Sequence, residues 1–396
     1  MRIMLVTAGS RGDVEPFAVL ARRAVAAGHE VHLVIPDRSG ADVGGLDVVS
    51  LGVDYTRMIE QQGVSLGAAL RSYRSVVQPV MRGVIVGAAR AALDVRPDLL
   101  VAHPKVLSAP LIAGALDIPY AWVEMVPVMT PTRAFPAAGA VSWDLGPLNP
   151  LTYRAAAGGA ALFRRDLRDA GELLGLRSSV PAPADAMLMP ISPQLLMRPV
   201  DWPDTVHLTG PWRSASTAEL PDDVAAFLAE GDVVYAGFGS MAAGDPVARA
   251  REVIRGIRAT GARALVATGL GGLMVPPDLL GDDVLVTASV AHDRVLPATV
   301  AAIHHGGIGT LQAATAAGTP SVVVPFIADQ PFWGARAYEQ GLAPRPIPRR
   351  ELTATRLMAA LGRAPELRLA VGQAAAAMRT EDGAAAALAV LGSLVH

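Results

Sequence analysis

Short apolar runs alternate with amphipathic stretches along most of the chain. The first apolar run covers residues 2–7 and predicts a strand, an amphipathic stretch at 17–27 predicts a helix, and an apolar run at 29–35 predicts a second strand. Later apolar runs at 99–102 and 120–123 each follow a helical stretch. This alternation is typical of βαβ units, which build parallel sheets.

The alternation is interrupted once, near the middle of the chain. Residues 198–221 form a polar connector with several prolines, and strands and helices resume at Val233. The stretch 353–394 is rich in alanine and predicts helices. A chain of 396 residues fits two domains of about 200 residues each. The predicted division is an N-terminal domain over 1–212, a C-terminal domain over 213–375, and a last helix over 376–396 that packs back on the N-terminal domain.

Open parallel sheets bind ligands at the carboxyl ends of their strands. The sequence therefore predicts an α/β protein with two facing Rossmann-like domains, each built on a parallel sheet, and a cleft between them. Such an arrangement suits an enzyme that brings two substrates together.

The composition excludes several classes of function. Hydrophobic residues make up 52% and charged residues 18%, and the net charge of −2 predicts no nucleic-acid partner. Cysteine is absent, which excludes disulfides, thiolate metal sites and cysteine nucleophiles. Lys105 is the one lysine beside 33 arginines, so the chain contains no Gly-Lys-Ser/Thr phosphate-binding loop.

Targeting signals are not apparent. The apolar stretch at residues 1–7 is too short for a signal peptide and fits the first strand better, and no run of about 20 apolar residues stands out. We therefore predict no integral membrane segment and a cytoplasmic location.

The most informative motif lies at residues 301–310. An apolar run there is followed by His304-His305-Gly306-Gly307-Ile308-Gly309-Thr310. The pattern predicts a strand, a glycine turn and a helix over 311–317 with Gly318 as its C-cap. The amides of a first helical turn and the positive end of the helix dipole attract anions, and the histidines can donate to phosphate oxygens.

A second motif follows about twenty residues later. After an apolar run at 321–325, the carboxylate and amide of Asp329 and Gln330 stand where they can bind hydroxyl groups. The two motifs together indicate a nucleotide-activated sugar as ligand. The alternative is a glycine-rich turn with structural histidines.

Asp13 is the candidate for catalysis in the N-terminal half. It follows the first strand within the predicted loop 8–16, where a carboxylate can accept the proton of an attacking hydroxyl. The alternative is that Asp13 caps a helix beginning near Val14. Spacing alone leaves both interpretations open.

Other polar residues follow predicted strands. Ser240, after the strand beginning at Val233, can donate to a phosphate. His103, Trp122 and Glu124 stand at the ends of the runs 99–102 and 120–123, where they are candidates for contact with a second substrate.

These motifs together resemble the GT-B fold glycosyltransferases of family 1, the group that includes bacterial antibiotic glycosyltransferases and sterol glucosyltransferases. They span essentially the whole chain in the same order, at residues 9–16, 238–241, 292–293, 304–310 and 329–330. The resemblance implies a nucleotide-sugar donor bound mainly by the C-terminal domain, an acceptor bound mainly by the N-terminal domain, and inversion at the anomeric carbon.

The resemblance also assigns roles to positions. Asp13 is implied to be the general base, and Asp329 and Gln330 are implied to bind the donor sugar. Ala291 stands where bacterial relatives often have proline, in a nucleobase region of Val290, Ala291 and His292. The residues implied for the donor diphosphate are Ser10, Ser240, His304, His305, Gly306, Gly307, Gly309 and Thr310.

The predicted partners are a nucleotide sugar and a hydrophobic small molecule, with no metal or other cofactor and a monomeric or homodimeric state. The stretch 325–334 resembles the sterol branch and favours UDP-glucose; a polyketide or glycopeptide acceptor with a dTDP-deoxysugar is the close alternative. Two other classes remain open: a nucleotide-sugar epimerase of the same fold, and a non-catalytic nucleotide-sugar-binding helper protein.

Overall fold

The structure is a computed structural model. It describes residues 1–54, 73–141, 143–176, 182–213, 219–239, 241 and 243–395. The chain divides into two compact units, which are unit 1 (Met1–Ile191, Arg198–Ser214 and Asp382–His396) and unit 2 (Ser192–Met197 and Ala215–Glu381). The sequence pattern placed the division after residue 212 and did not separate the short segment Ser192–Met197.

Unit 1 contains a seven-stranded parallel sheet with the order β3-β2-β1-β4-β5-β6-β7. Its strands are β1 Arg2–Val6, β2 Glu30–Asp37, β3 Asp47–Asp54, β4 Leu99–Ala102, β5 Tyr120–Val123, β6 Ala186–Met189 and β7 Val206–Leu208. Its described α-helices are α1 Arg11–Ala26, α2 Gln78–Val95, α3 Ala109–Leu116, α4 Asn149–Ala157, α5 Arg164–Leu173 and α13 Gly383–Gly392.

Both faces of the central strands of this sheet are buried, as their continuous apolar runs predict. Ile3 and Leu5 of β1 point to one face, where they join a core with α1 and α13. Met4 and Val6 point to the other face, where α2 packs. The alternation of side chains along one strand thus places a helix layer on each side.

Helix α1 begins earlier than the sequence pattern predicts. The sequence pattern assigned residues 11–16 to the loop 8–16, and proline is usually tolerated only in the first turn of a helix. The helix instead begins at Arg11, with Ser10 as its N-cap residue and Pro16 inside it. Asp13 therefore lies in the first helical turn and not in a loop.

One helical segment among the described residues is long and apolar enough for a membrane span by length and composition alone, which is weak evidence for one. Tyr73–Val95 has 23 residues and a mean hydropathy of 1.3, and a third of its 18-residue window is buried. Val84 and Ile85 of this segment pack in the core against the sheet. Core helices of α/β domains meet the same criteria.

Unit 2 contains a five-stranded parallel sheet with the order β10-β9-β8-β11-β12. Its strands are β8 Val233–Gly237, β9 Arg263–Ala267, β10 Val284–Thr287, β11 Ala301–His304 and β12 Ser321–Val323. Its described α-helices are α6 Asp222–Ala229, α7 Pro246–Arg258, α8 His292–Val295, α9 Ile308–Ala317, α10 Gln330–Glu339, α11 Ala354–Leu361 and α12 Ala364–Met378.

The glycine motif of unit 2 folds as a strand, a turn and a helix. Strand β11 ends at His304 and α9 begins at Ile308, three residues before the predicted start, which brings Gly309 and Thr310 into the first turn. Gly318 ends the helix in the left-handed conformation, as its C-cap role requires.

Candidate active site

The order of strands brings two loops of unit 1 together. Strands β1 and β4 are neighbours, and the strand order reverses between them, so this is a topological switch point of the sheet. Helix α1 follows β1, and the residues His103 to Lys105 follow β4. The backbone N–H of His103 donates to the carbonyl of Val6 at 2.9 Å, which holds the two strand ends side by side.

The carboxylate of Asp13 is bound at both oxygens. Oδ2 accepts the backbone N–H of Ser10 at 2.9 Å, and Oδ1 accepts from Lys105 Nζ at 2.8 Å. The side chain is 22% exposed, so part of it remains open to a substrate. Burial raises the pKa of Asp13, but the Lys105 ammonium, His103 and the Ser10 hydrogen bond together hold it below its ordinary value. Asp13 is therefore an accessible carboxylate anion at neutral pH.

Gly9 makes room for this carboxylate. Its φ is +148°, and a Cβ at this position would overlap Asp13 Oδ2. The Gly9-Ser10 pair thus lets the loop after β1 fold closely over the Asp13 side chain.

His103 faces the same oxygen but is not a free base. Its Nδ1 accepts the backbone N–H of Lys105 at 3.0 Å, so Nε2 bears the hydrogen and lies 3.6 Å from Asp13 Oδ1. Burial, and then the Lys105 charge, lower the pKa of His103 to about 3. The imidazole is therefore neutral, with neither ring nitrogen able to take a proton from a substrate near pH 7.

Trp122 and Glu124 lie in the interior of unit 1. Trp122 packs edge-on against Tyr120 in the core. Glu124 is fully buried and accepts hydrogen bonds from the backbones of Val128 and Met129 and from the hydroxyl of Thr130. Glu124 thus holds the loop after β5 in place through these hydrogen bonds. The proposed acceptor contacts of His103, Trp122 and Glu124 stay predictions.

A switch point also lies beneath the glycine motif of unit 2. Strands β8 and β11 are neighbours, with His304 opposite Gly237, and the strand order reverses between them. Gly306 turns the chain with a φ of +88°, and a Cβ there would stand 2.6 Å from Val323 Cγ1. The chain then enters α9, whose first amides have no acceptor within the helix. This is the geometry of an anion site.

The two histidines of the motif have different surroundings. His304 is fully buried, and its Nδ1 accepts the backbone N–H of Gly306 at 3.1 Å. His305 is partly exposed and lies next to Gly239 of the loop after β8. Burial, followed by neighbouring histidines, lowers the pKa of His304 to about 3 and that of His305 to about 4. Both are therefore neutral hydrogen-bonding groups at pH 7.

Each of these histidines has one buried ring nitrogen with no hydrogen-bond partner among the described residues, Nε2 of His304 and Nδ1 of His305. An unpaired buried polar atom costs about 1–3 kcal/mol. In native proteins such atoms occur at strained positions, at catalytic groups and where a bound water or ion completes the hydrogen bond.

The predicted nucleobase region begins a short helix. Ala291 is the residue before α8, and His292 is its first residue. His292 Nε2 lies 3.0 Å from the hydroxyl of Tyr235, and burial raises the pKa of that hydroxyl well above its ordinary value. The sequence patterns did not point to Tyr235. The available signal was an aromatic residue inside the apolar strand that ends at Gly237.

Asp329 and Gln330 begin α10. Gln330 is buried, and its Oε1 accepts the backbone N–H groups of Phe326 and Ile327 at 2.8 and 3.1 Å. Asp329 Oδ2 accepts from Trp333 Nε1 at 2.9 Å. Ala328 just before them has a φ of +54°, a conformation that non-glycine residues rarely adopt outside functional or strained turns.

Arg249 of α7 organises the loops around this site, and the sequence patterns did not identify it. Its guanidinium is buried and donates to the carbonyls of Met241, Ala243 and Gly272. It also lies over the ring of Phe326, 5.0 Å from the centroid. The available signal in the sequence was that Arg249 stands four residues before the buried Val253, on the apolar face of α7.

Two sequence predictions are not resolved by this geometry. Ser240 lies outside the described residues. Among the residues that the structure does describe, no group of three or more His, Asp or Glu side chains is placed to hold a metal ion. Independence from metals stays a prediction.

Known proteins resemble this chain over most of its length. Residues 276–388 match the family described as "Erythromycin biosynthesis protein CIII-like, C-terminal domain". The O-mycaminosyltylonolide 6-deoxyallosyltransferase of Streptomyces fradiae is 33% identical over 379 residues, covering 88% of this chain and 86% of that enzyme. A sterol 3-beta-glucosyltransferase of Arabidopsis thaliana is 28% identical over an alignment of 417 residues, covering 98% of this chain but 64% of the plant enzyme.

Solved structures agree on the fold. The glycotransferase of kitacinnamycin superposes with a TM-score of 0.75 at 20% identity, covering 100% of this chain and 99% of that one. The glycosyltransferase VinC in complex with dTDP superposes with a TM-score of 0.65 at 20% identity and the same coverage.

The two parallel sheets, the glycine motif at a switch point and these similarities define the class of enzyme. The chain belongs to the family 1 glycosyltransferases of the GT-B fold.

Proposed function

We propose that this glycosyltransferase is an inverting, metal-independent enzyme that moves a sugar from a nucleoside diphosphate to a hydroxyl of a hydrophobic small molecule. The observation that carries the proposal is the accessible Asp13 carboxylate at the switch point of unit 1. It is ionised at neutral pH, and each of its oxygens is held by a hydrogen bond.

In this proposal the proton of the acceptor hydroxyl passes to Asp13 as the acceptor oxygen attacks the anomeric carbon. The bond from that carbon to the phosphate oxygen breaks, and the nucleoside diphosphate departs with the electron pair. Attack opposite the leaving group inverts the anomeric configuration. General-base assistance of this kind contributes about 10²–10⁴-fold.

Unit 2 is proposed to bind the departing diphosphate. The first-turn amides of α9 and the exposed edge of His305 would donate to the phosphate oxygens as negative charge develops. His304 is assigned to the turn itself, since its Nδ1 holds the Gly306 amide. Asp329, anchored by Trp333, would bind sugar hydroxyls together with Gln330.

For the substrates, we propose a dTDP-deoxysugar and a polyketide-type aglycone. The 33% identical relative carries a 6-deoxyallosyl group in its name, and VinC was crystallised with dTDP. A sterol with UDP-glucose is the second candidate, supported by the alignment of 98% of this chain with the plant sterol glucosyltransferase.

The test is a donor and acceptor screen. Calorimetric titration with dTDP-, UDP- and GDP-sugars is expected to identify one nucleotide class that binds tightly. Incubation of that donor with polyketide aglycones and sterols is then expected to yield a glycoside of inverted anomeric configuration, seen by NMR. A product with retained configuration would overturn the inverting mechanism, and isomerised sugar from donor alone would instead indicate an epimerase.

A further inference from the structure

We propose that Lys105 is a positioning residue for the reaction, because its ammonium group holds the Asp13 carboxylate ionised and fixes its plane while leaving it open to the acceptor hydroxyl. This inference rests on the proposed function of Asp13 as the general base.

The contact geometry places Lys105 directly on the carboxylate. Its Nζ lies 2.8 Å from Asp13 Oδ1, while the backbone N–H of Ser10 is bound to Oδ2 on the other side. The Ser10 hydroxyl also donates to Oδ2 at 3.4 Å, so three donors on the two oxygens fix the orientation of the carboxylate plane. A carboxylate offers about four lone-pair sites, so this arrangement leaves positions for a substrate proton.

The choice of a lysine at this position is chemically meaningful. Lys105 is the one lysine in a chain that has 33 arginines. An arginine facing a carboxylate tends to bind both oxygens with its planar fork, whereas an ammonium acts as a point charge on one oxygen. A guanidinium here would compete with Ser10 and with the acceptor hydroxyl for the oxygens of Asp13.

The loop after β4 is built to deliver the ammonium. The backbone N–H of Lys105 donates to His103 Nδ1, and His103 is itself tied by its own backbone N–H to Val6 at the end of β1. The side chain of Lys105 is 34% exposed, so it reaches Asp13 from the edge of the site and not from the core.

Lys105 opposes the effect of burial on the pKa of Asp13. Burial acts to protonate the carboxyl, and Lys105 is the largest of the influences that oppose this. Among the described residues, the other titratable group that faces Asp13 is His103, which is neutral in the working range, while Arg11 of the same helix pairs with Glu15. Without the ammonium, the pKa of Asp13 is therefore expected to rise, and the base would be protonated over more of the acidic range.

Replacement of Lys105 by methionine tests this directly, with kcat/KM measured from pH 3 to pH 9. The acidic limb of the Lys105→Met profile is expected to move up by about one pH unit, which approaches a tenfold loss at pH values below both limbs. The loss should narrow toward high pH, and the KM for the donor should not change. Arg22→Met removes one positive charge from α1 that pairs with Asp42 and not with Asp13, so its profile should match that of the wild type.

A second variant separates charge from geometry. Lys105→Arg keeps the positive charge, so its acidic limb is expected to stay near that of the wild type. Its kcat should fall about tenfold or more at every pH, because the fork occupies oxygens that the acceptor needs. Thermal midpoints within about 2 °C of the wild type would show that both variants are folded.

The outcomes distinguish this inference from the proposed function. If Asp13→Ala abolishes transfer but Lys105→Met leaves both the rate and the acidic limb unchanged, Lys105 has no positioning role. A Lys105→Met profile whose acidic limb stays in place would equally overturn it, because a loss that is only uniform across pH is what any disturbance of the loop after β4 would produce. If Asp13→Ala itself transfers sugar at the normal rate, the base assignment fails, whatever Lys105 does.

Discussion

In the proposed mechanism, Asp13 would combine two tasks that the sequence presented as alternatives. Ser10, not Asp13, is the N-cap residue of α1, and Asp13 stands in the first turn with its Oδ2 on the Ser10 amide. The helix contact uses one oxygen, and the other faces Lys105. The contact with Ser10 stabilises the start of the helix and at the same time holds the carboxylate in place for the proposed role as a base.

Buried neutral histidines make stability depend on pH. The pKa values of His103, His304 and His305 lie at about 3, 3 and 4, below the ordinary 6.5. As pH falls from about 6.5 toward 4, the unfolded chain takes up protons that the folded chain does not. Stability is therefore present above pH 6.5 and is lost on acidification, by about 1.4 kcal/mol per pH unit for each such histidine.

The measurement is the thermal midpoint between pH 7.5 and pH 4.5. The double variant His304→Asn/His305→Asn is expected to have a shallower decline with pH than the wild type, whatever its stability at pH 7.5. Asparagine keeps an acceptor near the Gly306 amide but does not titrate. Equal slopes for the two proteins would show that these histidines are not the source of the pH dependence.

The turn before α9 depends on glycine at one position. Gly306 adopts a φ of +88° with Val323 and the backbone of Gln330 close to the place of a Cβ. We expect Gly306→Ala to destabilise unit 2 by roughly 1–3 kcal/mol and to weaken nucleotide binding, because the turn that aims the amides must shift. Denaturation curves and calorimetric titration with dTDP and UDP measure the two effects.

The matched control lies three residues away in the same motif. Gly309 is inside the first turn of α9, and a Cβ there meets nothing within 4 Å. Gly309→Ala should keep or slightly raise stability, since alanine favours a helix by about 1 kcal/mol over glycine. Comparable destabilisation by both substitutions would contradict the special role of the Gly306 turn.

Arg249 connects three loops of unit 2 through its contacts with the carbonyls at 241, 243 and 272 and with the ring of Phe326. Arg249→Met is expected to cost roughly 2–4 kcal/mol and to raise amide hydrogen exchange in all three loops, because buried carbonyls lose their donors. Arg251→Met is the control, since Arg251 is partly exposed and pairs with Asp278; its effect should stay within about 0.5 kcal/mol. Exchange confined to α7 itself would refute the connecting role.

At the scale of the molecule, hydrophobic periodicity predicted the strands well. Runs at 99–102 and 120–123 coincide with β4 and β5, because parallel strands are apolar on both faces and stand out from their surroundings. The start of α1 was missed, since Pro16 suggested a later beginning and the capping by Ser10 and Asp13 overrode it.

The candidate site was likewise only partly predictable from the sequence. The glycine motif and Asp13 were visible because their chemistry is local in sequence. Lys105 and Arg249 could not be recognised in the sequence, because their partners are distant along the chain. Asp13 is 92 residues from Lys105, and Gly272 is 23 residues from Arg249. Glu124, at a strand end, was indistinguishable in sequence from a surface carboxylate, although it lies buried among backbone amides.

The central claim is that Asp13 acts in chemistry and not in donor binding. The most direct test is one set of assays on Asp13→Asn, which keeps the shape of the side chain and an acceptor for the Ser10 amide. We expect transfer to the acceptor to fall by about 10²-fold or more while the calorimetric affinity for the nucleotide sugar stays within about twofold of the wild type. Normal turnover, or a loss explained entirely by weaker donor binding, would contradict the account.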